Sequence, residues 1–200
     1  MFKYSAEKLT NILIENKVIS EEDSDLYSYG FEIGFSIVAN ILTTILIGLA
    51  FKMPLESIAF LMAFIPLRSY IGGFHASNHI RCYWLSVFAV IAVLFAARFV
   101  LNIYNLPVII GIGSICAIIM FILVPVKETN RPLDEVEIRI FRHRARIIIC
   151  LELFVMLALS FIGLKTIVSI LFCTFCLTCI STCAGVIRNL YFKYSNTDYS

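Results

Sequence analysis

Long apolar runs separated by short polar stretches fill the chain from residue 30 onward. Within these runs the apolar residues do not alternate with period two, so they read as helices rather than barrel strands. A helix needs about 20 residues to cross the ~30 Å hydrocarbon core of a bilayer. On that measure the chain predicts six spans, at 30–51, 54–72, 80–101, 106–126, 146–163 and 165–187. The second is the least regular, because Pro66 and Arg68 interrupt it after LESIAFLMAFI. The last two are separated by Gly163 to Lys165 alone, which predicts a tight hairpin. Ahead of the first span, KYSAEKLTNILIENKV (3–18) sets Leu9, Ile12 and Leu13 on one helical stripe, with Ile14 beside it. That pattern predicts an amphipathic helix lying on the inner leaflet. Ser20 followed by Asp23 resembles a capping box and starts the next helix near Glu21.

Composition leaves no room for a water-soluble alternative. Of the 200 residues 60% are hydrophobic and 15% charged, and mean hydropathy is +0.90. A soluble domain needs far more charge to cover its surface, so residues 1–200 read as a single all-α integral membrane domain. The cations set its orientation. Lys3, Lys8, Lys17, Arg68, Arg81, Lys127, Arg131, Arg139, Arg142, Arg144, Arg146, Arg188 and Lys193 fall on one side of the six spans; Lys52, Arg98 and Lys165 fall on the other. Basic loops stay in the cytoplasm. Both termini are therefore expected there, with 1–29 as a leader and 188–200 as a tail. The first 29 residues mix Lys, Glu and Asp and do not read as a secretory signal.

Seven cysteines, an odd number, argue against a disulfide framework. Cys173, Cys176, Cys179 and Cys183 have the spacing of some iron–sulfur ligand runs. Cluster loops wrap around their metal, however, and these four lie inside one apolar helix, on one ~120° stripe at 100° per residue. Ser169 and Thr166 share that side, so a small-residue packing face is the better reading, and a homodimer through it is an expectation. No metal or cofactor is expected, and no nucleic-acid partner.

One stretch departs from its surroundings: RSYIGGFHASNHIRCYW, Arg68 to Trp84. It sets an arginine at membrane depth, a glycine pair, two histidines, an asparagine and Cys82 next to hydrocarbon, where polar groups are costly and call for a functional hypothesis. A thiol with an ordinary pKa near 8.5 needs a base or a positive field to become a nucleophile. Ser77 or Asn78 would cap the third span. Cys82 would then lie in the first turn, where free N–H groups favour a thiolate and could hold an oxyanion. On one continuous helix His75 would stand ~10 Å from Cys82 and His79 much nearer. If Gly72–Gly73 begin a turn, His75 could instead fold back over the thiol. Spacing leaves both histidines open as the base. The bland alternative is interfacial His and Trp with a packing cysteine.

RSYIGGFHASNHIRC, followed later by VPVKETNRPLDEVEIRIFRHRARI, resembles the accessory gene regulator protein B family, bacterial membrane cysteine endopeptidases that mature peptide pheromone precursors for quorum sensing. The resemblance covers most of the chain: its length, the amphipathic leader, Arg-x4-Gly-x-His-x6-Cys and the proline-flanked basic loop before the fifth span. It implies His75 and Cys82 as a catalytic dyad, Arg68 and Gly73 as residues shaping the site, and a small precursor peptide as substrate at the cytoplasmic membrane of a bacterium. The lysine-rich stretch frequent in the family reads KETNRP here, which keeps Lys127 and Arg131. Arg139, Arg142, Arg144 and Arg146, with His143, form the densest basic cluster. It reads either as a topological anchor on anionic lipid or as a dock for an acidic precursor tail, with Lys127, Arg131, Arg139 and Arg142 as candidate contacts. Glu32 is a weak candidate to orient His75. Asp134, Glu135 and Glu137 are expected to begin a short surface helix after Pro132.

Two readings compete with an enzyme. A transporter would spread ionisable groups over several helices near the midplane, whereas here they gather at one face and no internal repeat is seen. A non-catalytic membrane scaffold would leave Cys82 replaceable.

Overall fold

A computed structural model describes residues 2–72, 79–126 and 134–197, with side chains described for 2–72, 81–126 and 134–191. Seven α-helices are described: α1 (Lys3–Glu15), α2 (Ser24–Ala50), α3 (Pro54–Ile71), α4 (His79–Asn102), α5 (Leu106–Leu123), α6 (Glu135–Ile162) and α7 (Lys165–Thr197). Helices α2 to α7 are each long and apolar enough to cross a membrane, and the architecture is that of an all-α multi-pass membrane protein.

Helix ends follow local chemistry. Pro66 does not break α3, which runs on to Ile71. The fourth span ends at Leu123 rather than 126, because Val124 precedes Pro125 and is pushed to an extended backbone, ψ 147°. The acidic run before the fifth span does not make a separate surface helix. Asp134 and Glu137 form a capping box, with the Asp134 N–H donating to Glu137 Oε2 at 3.4 Å, and α6 continues unbroken into the apolar stretch. The Ser20–Asp23 pair closes differently from a capping box. Ser20 Oγ donates to Asp23 Oδ2 at 2.8 Å across a 3₁₀ turn (Glu21–Asp23), and α2 follows directly.

Helix α1 packs against α2. Its seated face is Phe2, Ala6, Leu9, Thr10 and Leu13, with Ala6 and Thr10 buried and Phe2 6.2 Å from Phe35 ring to ring. Ile12, on the apolar stripe expected to lie on the leaflet, is 43% exposed. The small residues at 6 and 10 let the two helices approach.

Helix α7 is the hub, touching α3, α4, α5 and α6. Its serine, threonine and cysteine face points inward: Ser169, Thr174, Thr178, Thr182, Cys173 and Cys179 are buried. Thr174, Thr178 and Thr182 return their hydroxyls to the carbonyls four residues back at 2.8, 2.9 and 2.8 Å, so no donor is left bare in an apolar setting. Cys116 of α5 lies against Cys176 and Cys179. The small-residue face expected to seat a second copy is thus taken up inside the chain. Two apolar clusters divide α7 along its length: Val168, Ile170 and Phe172 pack with Phe60, Leu94 and Met156, and Phe175 packs with Leu67, Met120 and Ile149.

Gly48 of α2 admits α3 so closely that an added Cβ would strike the Ser57 side chain, which is tied to the Pro54 carbonyl at 2.8 Å. Gly48→Ala is expected to destabilise the bundle by about 1–3 kcal/mol, as overpacking does, measured as a fall in thermal midpoint in detergent. Gly30→Ala and Gly34→Ala, where an added Cβ meets nothing within 4 Å, should instead hold or raise it by up to ~1 kcal/mol through helix propensity. Equal losses at 48 and 30 would refute this packing.

Candidate functional site

The candidate site residues that are described flank the end of α3 and the start of α4. Arg68, in the last turn of α3, is half-buried, and its Nη1 donates to the Gly72 carbonyl at 3.2 Å and to Ser181 Oγ of α7 at 3.0 Å. The Val126 N–H, just past α5, donates to the Ile71 carbonyl at 3.0 Å. The chain leaving α3 is therefore held from two sides, by α7 and by the segment after α5. Gly72 is required at this crossing. Its backbone sits at φ 76°, ψ −146°, a region open essentially to glycine, and an added Cβ would lie 2.8 Å from the Val126 carbonyl oxygen.

Cys82 lies in the first turn of α4 as described, half-buried and not in a disulfide. At 100° per residue it shares a stripe with Ser86, Val93 and Ala97, and Val93 and Ala97 are buried in the bundle core. Arg81, Trp84, Leu85 and Phe88 are exposed. The thiol thus belongs to the inward side of α4. Ser86 Oγ donates to the Cys82 carbonyl at 3.1 Å, and the Tyr83 and Thr43 hydroxyls, 2.8 Å apart, tie this end of α4 to α2. The contacts Thr43–Tyr83, Phe51–Phe95 and Gly48–Ser57 set the register of α2 against α4 and α3.

The basic cluster of α6 splits into two kinds. Arg144 Nη1 meets the Tyr70 hydroxyl at 3.5 Å with its guanidinium 5.6 Å from that ring, and Phe141 packs on the same ring at 5.7 Å. Arg146 Nη2 meets the Phe121 carbonyl at 3.4 Å, with its guanidinium 4.4 Å from the Phe121 ring. These two arginines dock α6 onto α3 and α5. Arg139, Arg142 and His143 are exposed and make no hydrogen bond or ion pair with another described residue. Gly73, His75, Lys127 and Arg131, with the Ser77–Asn78 cap, lie outside the described residues, as does the His79 side chain. Glu32 is half-buried on α2. Among the described residues no group of three or more His, Cys, Asp or Glu is arranged to hold a metal ion.

The profile of the accessory gene regulator B family matches residues 6–182. The chain belongs to that family. Over 131 residues it is 29% identical to a protein of Clostridium perfringens strain SM101 described as AgrB-like, and 30% identical to AgrB-like protein 2 of strain 13. Each match covers 60% of this chain and 61% of the relative, so the chain spans about three fifths of the length of these curated relatives. No solved structure matches it. Every candidate residue named above, from Arg68 to Arg142, falls inside the stretch matched by the AgrB family.

Two side chains that sequence reading passed over stand out. Ser181 joins Arg68 from 113 positions away, and nothing local marks it. Glu152 lies in the middle of α6 with a buried Oε1 that has no hydrogen-bond partner among the described residues; a carboxyl inside an apolar span was a legible anomaly. An apolar hollow of about 180 Å³ between α5 and α6, lined by Ile109, Met156 and Ser160 among others, is separate from Cys82.

Gly72→Ala and Gly72→Asn are both expected to destabilise the protein by about 1–3 kcal/mol, seen as a lower thermal midpoint. At Gly163, where φ is 86° and ψ 12°, asparagine should be tolerated better than alanine, because that is the ordinary left-handed helix cap. A Gly72→Asn variant as stable as wild type would remove the case for the constrained crossing.

Proposed function

We propose that this protein is a cysteine endopeptidase of the bacterial cytoplasmic membrane that cuts a small AgrD-like precursor peptide and closes the released acyl group into a ring for quorum sensing. The observation that carries the reading is the position of Cys82. It is a thiol in the first turn of α4, on the side of that helix that faces the bundle, within a chain of the AgrB family. The first N–H groups of a helix have no intrahelical partner and lower the energy of a nearby anion. They suit both a thiolate at Cys82 and the oxyanion formed when it attacks.

The steps balance without a cofactor. His75 takes the Cys82 proton, and Sγ adds to a backbone carbonyl of the precursor. The C–N bond then breaks, the leaving amine takes the proton from His75, and the C-terminal piece departs. Cys82 now holds a thioester. A thiol or hydroxyl inside the retained peptide attacks that carbonyl, giving a thiolactone or lactone, and Cys82 leaves as the thiol. Exchange between thioesters is nearly isoenergetic, so excluding water at the membrane face favours closure over hydrolysis.

Arg68 and Gly73 shape the site in this scheme. Arg139 and Arg142, exposed and unengaged by other described residues, are the cations available to an acidic precursor tail, together with Lys127 and Arg131. Arg144 and Arg146 are committed to Tyr70 and Phe121 and act in folding.

Cys82→Ala and His75→Ala are each expected to abolish cleavage of a precursor peptide that carries an internal cysteine and an acidic C-terminal segment. The assay is mass spectrometry of product with purified protein in nanodiscs, and a Cys82→Ala variant that still cleaves would falsify the assignment. Arg139→Glu with Arg142→Glu should raise KM about 10-fold or more at low salt, with kcat nearly unchanged, because lost charge attraction acts on binding. Arg144→Ala should instead lower the thermal midpoint. Unchanged cleavage by the double charge reversal would leave these arginines as lipid anchors.

A further inference from the structure

We propose that the hollow between α5 and α6 holds an acyl chain of an anionic phospholipid whose phosphate rests on Lys165. The hollow, of about 180 Å³, is lined by Ile109, Ile110 and Ser114 of α5 and by Phe154, Leu157 and Ser160 of α6, among others. Ile110, Phe154 and Leu157 are exposed. Both helices are apolar enough to cross a membrane, so the open side of the hollow meets hydrocarbon rather than water. The close approach of the two helices explains the shape. At Gly113 an added Cβ would lie 3.1 Å from the Met156 methyl carbon, so α5 and α6 nearly touch there. Beside that contact Ser114 and Ser160 are too short to fill the space between larger neighbours. A void leaves its lining without dispersion partners, and a chain from the surrounding lipid restores them. An apolar cavity of about 150 Å³ takes a benzene ring, so this hollow takes about six or seven carbons of an acyl chain. Its lining on α6 runs from Leu153 to Ser160, about 10 Å at 1.5 Å per residue, which suits an extended chain segment.

The end of the hollow says which lipid. Ser160 Oγ donates to the Met156 carbonyl at 2.7 Å and so presents no bare donor to the chain. The Tyr104 hydroxyl donates to that same oxygen at 3.5 Å, and Lys165 Nζ stands 5.4 Å from the centre of the Tyr104 ring. Hollow, serine, phenol and ammonium are thus linked in series. Lys165 begins α7 directly after the apolar end of α6, at the depth where headgroups lie and where tyrosine and lysine are favoured. It is exposed and makes no ion pair with another described residue. The connections 103–105 and 163–164 beside it contain no acidic residue. A zwitterionic headgroup neutralises its own phosphate, whereas an anionic phospholipid brings a charge that this ammonium can meet.

The test places the full-length protein in nanodiscs that carry phosphatidylglycerol or phosphatidylcholine with the same diazirine-bearing acyl chain. Cross-links are mapped to residues by mass spectrometry in wild type, Lys165→Gln, Ser114→Leu, and the controls Lys52→Gln and Gly111→Leu. The first control removes a cation elsewhere, and the second adds bulk at a position open to lipid. Expected is labelling at 109–114 and 153–160 that favours phosphatidylglycerol about 5-fold, the worth of one cation against an anionic headgroup. Lys165→Gln should bring that preference close to unity. Ser114→Leu should lower labelling there by both lipids about 5-fold, because its side chain fills the hollow. Neither control should change the pattern. Equal labelling by the two lipids, or a preference that survives Lys165→Gln, would overturn the proposal. Labelling that a precursor peptide displaces would overturn it too, by making the hollow a peptide site. Should Ser114→Leu fail to fold, the exposed Lys165→Gln variant decides alone.

Discussion

Inside hydrocarbon a backbone or side-chain polar group has no water to bond with, and this chain is built around that shortage. The threonines of α7 are the plainest case. Thr174, Thr178 and Thr182 are buried at the centre of the bundle, and each gives its hydroxyl back to its own helix. This lets α7 present a narrow surface on which α3, α4, α5 and α6 all pack. Bulkier side chains along the same stripe would hold the neighbours farther off. At the distal turns the same rule works through Arg98, whose Nη2 meets the Phe51 carbonyl at 2.8 Å where α2 ends. Each exposed carbonyl at a helix end needs such a partner.

The same rule made the helices legible and part of the site illegible. Apolar length marks a span, so the six crossing helices could be located from hydropathy. What misled were the polar extensions, as at Glu135 and beyond residue 187. A helix already begun continues past the membrane boundary at little cost, and hydropathy does not record it. The face of α1 that meets α2 is not marked by large apolar residues alone: Ile12 stays exposed. Ala6 and Thr10 are buried instead, since closeness between two helices favours small side chains. The pairing of Arg68 with Ser181 was beyond reach: a contact across 113 positions depends on which helices become neighbours, and spacing along the chain says nothing about that.

Cys82 was recognisable because a thiol in a polar segment beside hydrocarbon is out of place, and its inward position on α4 follows from helical phase once Val93 and Ala97 are seen to be buried. Glu152 shows why such anomalies have to be judged one by one. It too is ionisable and in a span, yet no cation or hydroxyl reaches its buried oxygen among the described residues, and it is no part of the Arg68–Gly72–Ser181 contact.

The two segments on which the proposed chemistry depends leave the bundle from one junction. The chain passes from Gly72 toward Gly73 and His75, and from Val126 toward Lys127 and Arg131. Ile71 and Val126 are joined by a hydrogen bond at 3.0 Å, with Gly72 packed against the Val126 carbonyl. A displacement of the chain at Val126 would therefore be passed directly to the end of α3 at Ile71 and Gly72. Because glycine has no side chain at the crossing, nothing but backbone separates the two segments. The end of α3 and the segment after α5 are thus coupled through two peptide groups rather than through a chain of side chains.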